Sequence, residues 1–225
     1  MIARVGILLS ALLLGACGST PPAPDWQLDT RSALDAYERH RLSGQASMAG
    51  RVLARALAAV SATGRPDLVA RVQLVRCALD VATLAFAACP DPRSLAEDGG
   101  PEERAYAVYL SGAWEGLDAA RLPPVHAAVV LARDDAARLA ALGAIETSAS
   151  RLVAAGVLFR RVALPPAGID GAVDTASEAG HRAALLAWLG VQEQTALAAG
   201  ETARATLIRR RIEVAASPIG PAVSP

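Results

Sequence analysis

The sequence predicts an all-α fold. Apolar residues recur at spacings of three and four through most of the chain. Glycines and prolines interrupt these stripes at about a helix length. No segment alternates polar and apolar residues with β-branched enrichment. The nearest strand candidate, VHAAVVL at 125–131, is alanine-rich and follows two prolines.

The chain opens with MIARVGILLSALLLGA, residues 1–16, followed by Cys17. One positive residue, Arg4, precedes an apolar run from Val5 to Leu14. The run is too short to span a bilayer and has the shape of a cleaved signal peptide. Leu14-Gly15-Ala16-Cys17 resembles the lipobox of bacterial lipoproteins. That resemblance implies a diacylglycerol on the Cys17 thiol, cleavage before Cys17 and acylation of the new amine. It also implies the inner leaflet of the outer membrane, facing the periplasm, because Gly18 replaces the aspartate that retains such proteins in the inner membrane. An ordinary secretory signal with a chance cysteine is the other reading. Two acyl chains already anchor a protein stably, each buried methylene contributing about 0.8 kcal/mol. Residues 18–25, GSTPPAPD, form a proline-stiffened tether reaching about 25 Å. Residues 26–216 then make one helical domain, and the tail SPIGPAVSP is disordered by composition.

Leu34, Tyr37 and Leu42 mark a first helix, interrupted at Ser43-Gly44. Val52, Leu53, Ala56, Leu57 and Val60 stripe a second, ending near Gly64. Pro66-Asp67 opens a third through Leu68, Val72, Val75 and Leu79. Residues 89–101, CPDPRSLAEDGGP, read as a loop. Pro101-Glu102-Glu103 begins the next helix, with carboxylates where the dipole favours them. A short segment at 117–122 stops at Pro123-Pro124, and a helix from Val125 carries Val129. Arg133-Asp134-Asp135 marks a break or a new cap. Leu152, Ala155, Phe159 and Val162 define a helix closed by Pro165-Pro166. A modest helix at 170–179 ends at Gly180. A long one through Leu185, Trp188, Leu189 and Gln192 ends at Gly200. Ala205, Ile208, Ile212 and Ala215 complete nine or ten helices.

Short connections force antiparallel neighbours. The segment LLAWLGVQEQTALAAGETARATLIRRRI, alanine-rich helices with a turn glycine, resembles tetratricopeptide-type units. The full signature and a period of about 34 residues are absent. The expected architecture is therefore a tetratricopeptide-like solenoid or an irregular helical bundle.

After the leader, 21 arginines face 22 acids. No basic excess favours nucleic acid, and the phosphate term of such binding has no source. The chain contains no lysine, which excludes Schiff-base and P-loop lysine chemistry. Aromatics are too few, at 4%, to build stacking platforms.

Cys77 and Cys89 remain beside the anchor. Export favours a disulfide between them, with two free buried thiols as the alternative. An unbroken helix would separate them by about 18 Å. A bridge needs Cα atoms within about 7 Å. The third helix must then end near Val81–Leu84 and LAFAAC must fold back; otherwise that helix runs on to Pro90.

Chemistry-bearing residues are sparse. His40, His126 and His181 each lie at a predicted helix end, as polar end residues. Ser177, Glu178 and His181 share a segment, but Gly180 breaks it. Glu97-Asp98, Glu102-Glu103 and Asp134-Asp135 are adjacent acids that suit caps and solvent better than general-acid work. No metal-ligand spacing, cofactor motif or catalytic motif occurs. Arg209-Arg210-Arg211 is the strongest charge cluster, read either as a solvated helix face or as a contact for an acidic partner. Arg160-Arg161 has the same two readings. Trp26 either packs on the first helix or sits at a lipid interface.

The sequence thus leads to a non-catalytic, lipid-anchored envelope protein that scaffolds or assists assembly of a protein partner. The alternatives are a cell-wall enzyme using an acid such as Glu102 or Glu103 in a helical cleft, and a small lipid or ligand binder.

Overall fold

The computed structural model describes residues 24–89 and 91–217. The leader, Cys17 and most of the tether and tail lie outside them. The described residues contain ten α-helices and no strand. In order they are α1 (Asp25–Ser43), α2 (Ala46–Ser61), α3 (Pro66–Ala82), α4 (Pro101–Ser111) and α5 (Pro124–Leu131). There follow α6 (Asp135–Gly143), α7 (Ser148–Arg160), α8 (Pro166–Glu178), α9 (Arg182–Ala198) and α10 (Thr202–Ala216). Short 3-10 turns at Phe86–Ala88, Pro92–Ala96 and Ala119–Arg121 break up the two longest connections.

Helix ends follow local chemistry. Proline occupies the first turn of α3, α4, α5 and α8, where its missing N–H costs nothing. Asp134 caps α6, its carboxylate accepting the Ala137 N–H at 2.8 Å. Glu103 reaches back to accept the Gly100 N–H at 3.0 Å. The α8 helix starts at Pro166, four residues before the position the apolar pattern suggested, because Pro166 fits the first turn and opens the helix rather than closing the one before.

Five helices end in the same two-bond C-cap. Its second bond runs from Gln45 to His40, Ala85 to Asp80, Ala163 to Leu158, His181 to Ala176 and Glu201 to Ala196. The left-handed residue in this motif is Gly44, Gly180 or Gly200 in three cases, but Leu84 (φ 57°) and Val162 (φ 56°) in the others.

Helices α3 and α7 are the central pair. Ten residues of α3 and eight of α7 are buried, so neither shows a one-sided apolar stripe. Around them run antiparallel pairs. Asp29 near the start of α1 meets Arg55 near the end of α2, and Asp170 near the start of α8 meets Gln192 late in α9. Helix α1 also packs on α9, and α3 on α7. An open solenoid has contacts only between neighbours. These long-range packings make the fold a closed bundle, the second of the two expected architectures. The fully buried Trp188 of α9 donates its indole N–H to the Ala82 carbonyl at the end of α3, at 3.0 Å.

The cysteine pair is joined. Helix α3 stops at Ala82, the chain turns through Leu84, and Cys89 returns to Cys77 with Cα atoms 5.4 Å apart. The uninterrupted helix to Pro90 is therefore excluded. Beside it, the buried Asp80 carboxylate accepts from Arg41 Nε at 2.9 Å and from Arg76 Nη1 at 3.3 Å. Two donors compensate the desolvation of that charge.

Candidate functional site

Two features position the last helix. Helix α10 packs on α9 through Ala205 and Ile208, its two buried residues. At its end, Arg182 at the start of α9 donates to the carbonyls of Ala215 (2.7 Å), Ala216 (2.7 Å) and Ser217 (3.2 Å). Those carbonyls have no partner within the helix, so one guanidinium caps the terminus.

The outward face of α10 has different chemistry. Leu207, Arg210, Arg211 and Val214 follow the i, i+3, i+4, i+7 spacing that places side chains on one face. Leu207 is 60% and Val214 78% exposed. A groove of about 430 Å³ opens beside Val214. It is lined by Arg210, Arg211, Val214, Ala215 and Ser177, with half-buried Leu185 at its apolar base and Leu189 fully buried beneath.

The arginine cluster divides. Arg209 pairs with Glu193 across α9 at 2.7 Å. Arg204 binds both Asp170 oxygens, at 2.9 and 3.1 Å, and Glu201 at 3.1 Å. Arg210 and Arg211 form no ion pair with any described residue. Arg211 lines the groove and is exposed.

Other candidates take structural places. Glu103 is buried; one oxygen accepts two bonds from Arg71 (2.9 and 2.6 Å) and the other the Gly100 N–H. Glu102 is exposed beside Arg121 at 3.4 Å. Arg161 stacks 4.3 Å over Trp114 and donates to the Gly112 carbonyl at 2.7 Å. Arg160 lies over Phe86 and reaches the Cys89 carbonyl at 3.2 Å. Both arginines clamp loops, a use neither sequence reading included. Trp26 is half-buried against the small cluster of Ala33, Ala56, Val60, Leu68 and Val72, which is the packing alternative.

The histidines differ among themselves. His40 is a helix-end residue, its Nδ1 2.7 Å from Gln45 Oε1. His126 is at the start of α5 as expected but is buried, and it shares a 3.1 Å hydrogen bond with the Tyr109 hydroxyl. Burial holds its pKa down at about 4. Its register with buried Val129, three residues on, was the available signal. His181 meets the Ser148 hydroxyl at 2.9 Å across 33 residues, not Ser177, and burial lowers its pKa. The pair joins the starts of α7 and α9 without an acid at the other ring nitrogen, so the orienting group of a nucleophile–base unit is missing there. No cluster of three metal-ligating side chains occurs among the described residues, and none of their helices is long and apolar enough to cross a membrane.

No protein-family model, curated protein or solved structure matches this chain.

Proposed function

We propose that this chain is a lipoprotein, anchored through Cys17 to the inner leaflet of the outer membrane and facing the periplasm, that binds another envelope protein. It acts as a scaffold or assembly factor and not as a catalyst. The observation that carries this reading is the outer face of α10. Exposed Leu207 and Val214 flank two arginines that have no acid of their own beside a groove with an apolar floor. Apolar surface combined with uncompensated charge is what a specific protein contact uses, the charge steering encounter and rejecting wrong partners. Anchoring adds to this by confining the face to one membrane surface and raising its effective concentration toward neighbours.

The competing cell-wall enzyme requires an acid free to give a proton to substrate. Both oxygens of Glu103 are occupied and Glu102 lies in solvent, so the geometry favours binding.

The test is cross-linking of the full-length, anchored protein in intact cells, with an unrelated lipoprotein as control. A reproducibly enriched envelope protein supports the reading. Its absence, or wall turnover by the purified protein that is lost in Glu102→Gln or Glu103→Gln, overturns it. The mass of the mature protein tests the anchor separately.

A further inference from the structure

We propose that the groove where α9 and α10 meet the end of α8 receives an acidic, amphipathic helix of the partner protein. The inference rests on the scaffold reading and names the chemistry of what the scaffold holds.

Charge comes first. The groove's walls carry Arg210 and Arg211 and no acid. The other two arginines of α10, Arg204 and Arg209, are neutralised by Asp170, Glu201 and Glu193. Two adjacent cations thus await carboxylates from outside. Glu213 is on the same helix but does not line the groove and pairs with neither arginine.

Shape comes second. Val214 lines the groove, and exposed Leu207, seven residues earlier and about 10 Å along the axis, continues the apolar stripe outside it. A helix laid alongside would meet that span with apolar residues at i, i+3 or i+4, and i+7, the usual mode of helix-in-groove recognition. Half-buried Leu185 on α9 supplies the matching apolar contact, backed by the buried Leu189 one turn on. Carboxylates flanking the partner's apolar stripe then reach the guanidinium groups, each able to accept a bidentate pair.

Two other occupants fit less well. A second copy pairing two-fold through this face would centre the axis between Leu207 and Val214. Arg210 and Arg211 of one copy would meet the same arginines of the other, a like-charge contact. A membrane surface is disfavoured by position. The C-terminal end of α10 is held by Arg182 at the start of α9, whose neighbour Ala183 lies against Gly44 at the end of α1. The tether enters at Asp25, the opposite end of that helix, about 28 Å away.

The experiment has two arms, both on the full chain. In intact cells a photo-cross-linking residue replaces Val214 or, on the distant helix α5, Leu131. In solution two synthetic helices of about five turns probe the purified protein, one of leucine and glutamate with the i, i+3, i+4, i+7 stripe, the other with lysine for glutamate. We expect the Val214 probe to capture a partner peptide with that stripe and flanking acids. We expect the glutamate helix to bind and to lose about tenfold or more in affinity on R210E/R211E, while the lysine helix gains. Neither arginine has an ion-pair partner among the described residues, so the variant should unfold like the wild type, which circular dichroism checks. The proposal is overturned if both helices bind alike, if R210E/R211E changes nothing, or if position 214 captures phospholipid, a second copy or a peptide without acids. Capture from position 131 but not 214 sinks this proposal and leaves the scaffold reading standing. Capture from neither sinks both.

Discussion

Gly156 of α7 rests directly on the carbonyl of Val81 in α3. A Cβ built on Gly156 would overlap that oxygen and come within 2.9 Å of Val81 Cγ1. The close crossing of the central helix pair is possible because residue 156 has no side chain. Gly50 in α2, by contrast, has open space where its Cβ would be.

The two glycines therefore predict opposite signs. Gly156→Ala should destabilise by about 1–3 kcal/mol through overpacking, against a helix-propensity gain of about 1 kcal/mol that the clash exceeds. Gly50→Ala should keep that gain and raise stability. Urea denaturation of the two variants checks both. A stabilised Gly156→Ala would mean that the helices can slide apart cheaply.

Val162 occupies a glycine position at the end of α7. It is β-branched, left-handed at φ 56° and 95% exposed, so it has strain and almost no packing to offset it. Val162→Gly should stabilise by about 1 kcal/mol, the left-handed penalty less the entropy a glycine adds to the unfolded chain. Leu84→Gly should gain less, because Leu84 packs on the core. Thermal melts of both variants order the two effects.

The Cys77–Cys89 bridge closes a loop of twelve residues. Chain entropy assigns such a bridge about 3 kcal/mol. The Cys77→Ala/Cys89→Ala variant should lose about that much while keeping its helical circular dichroism. The loss should show first as faster proteolysis between α3 and α4. Equal midpoints with and without reductant would contradict it.

His126 links stability to pH. Its ordinary value is 6.5, and in the folded chain burial lowers it to about 4. Above 6.5 the ring is neutral folded or unfolded. As pH falls below 6.5 the unfolded chain binds a proton that the folded chain refuses until about 4, so stability declines through that window by about 3 kcal/mol. His181, lowered in the same direction, adds to the decline. His126→Gln keeps a polar partner for Tyr109 but does not titrate. The difference between wild type and variant, followed from pH 7 to pH 4, should isolate that slope.

Much of the fold was legible because its punctuation is chemical. Gly44, Gly180 and Gly200 end three helices where the sequence placed them, Pro66 and Pro101 start two others, and α5 begins at Pro124, one residue before the Val125 start that the sequence suggested. The need to bring Cys77 to Cys89 located the end of α3 without a glycine to mark it. The choice between solenoid and bundle was not legible. It depends on α1 meeting α9, and alanine-rich faces carry no pairing code. The interior polar links stayed hidden for a similar reason. Asp80 takes arginines from positions 41 and 76, and Glu103 takes Arg71, partners that only tertiary packing brings together. At the candidate site, the sequence singled out the arginine triplet but not its division. That division depends on Glu193 standing across from Arg209 and no acid standing across from its two neighbours.

The indole of Trp188 and the carbonyl of Ala82 are 106 residues apart in the chain. Synthesis from the amino end delivers α3 long before α9. Until the later helix emerges, the end of α3 has no lid, and the non-local contacts that close the bundle cannot form. Closure of the bundle is thus postponed until α9 is made, and for that interval the apolar faces of α3 and α7 stay open to misassembly.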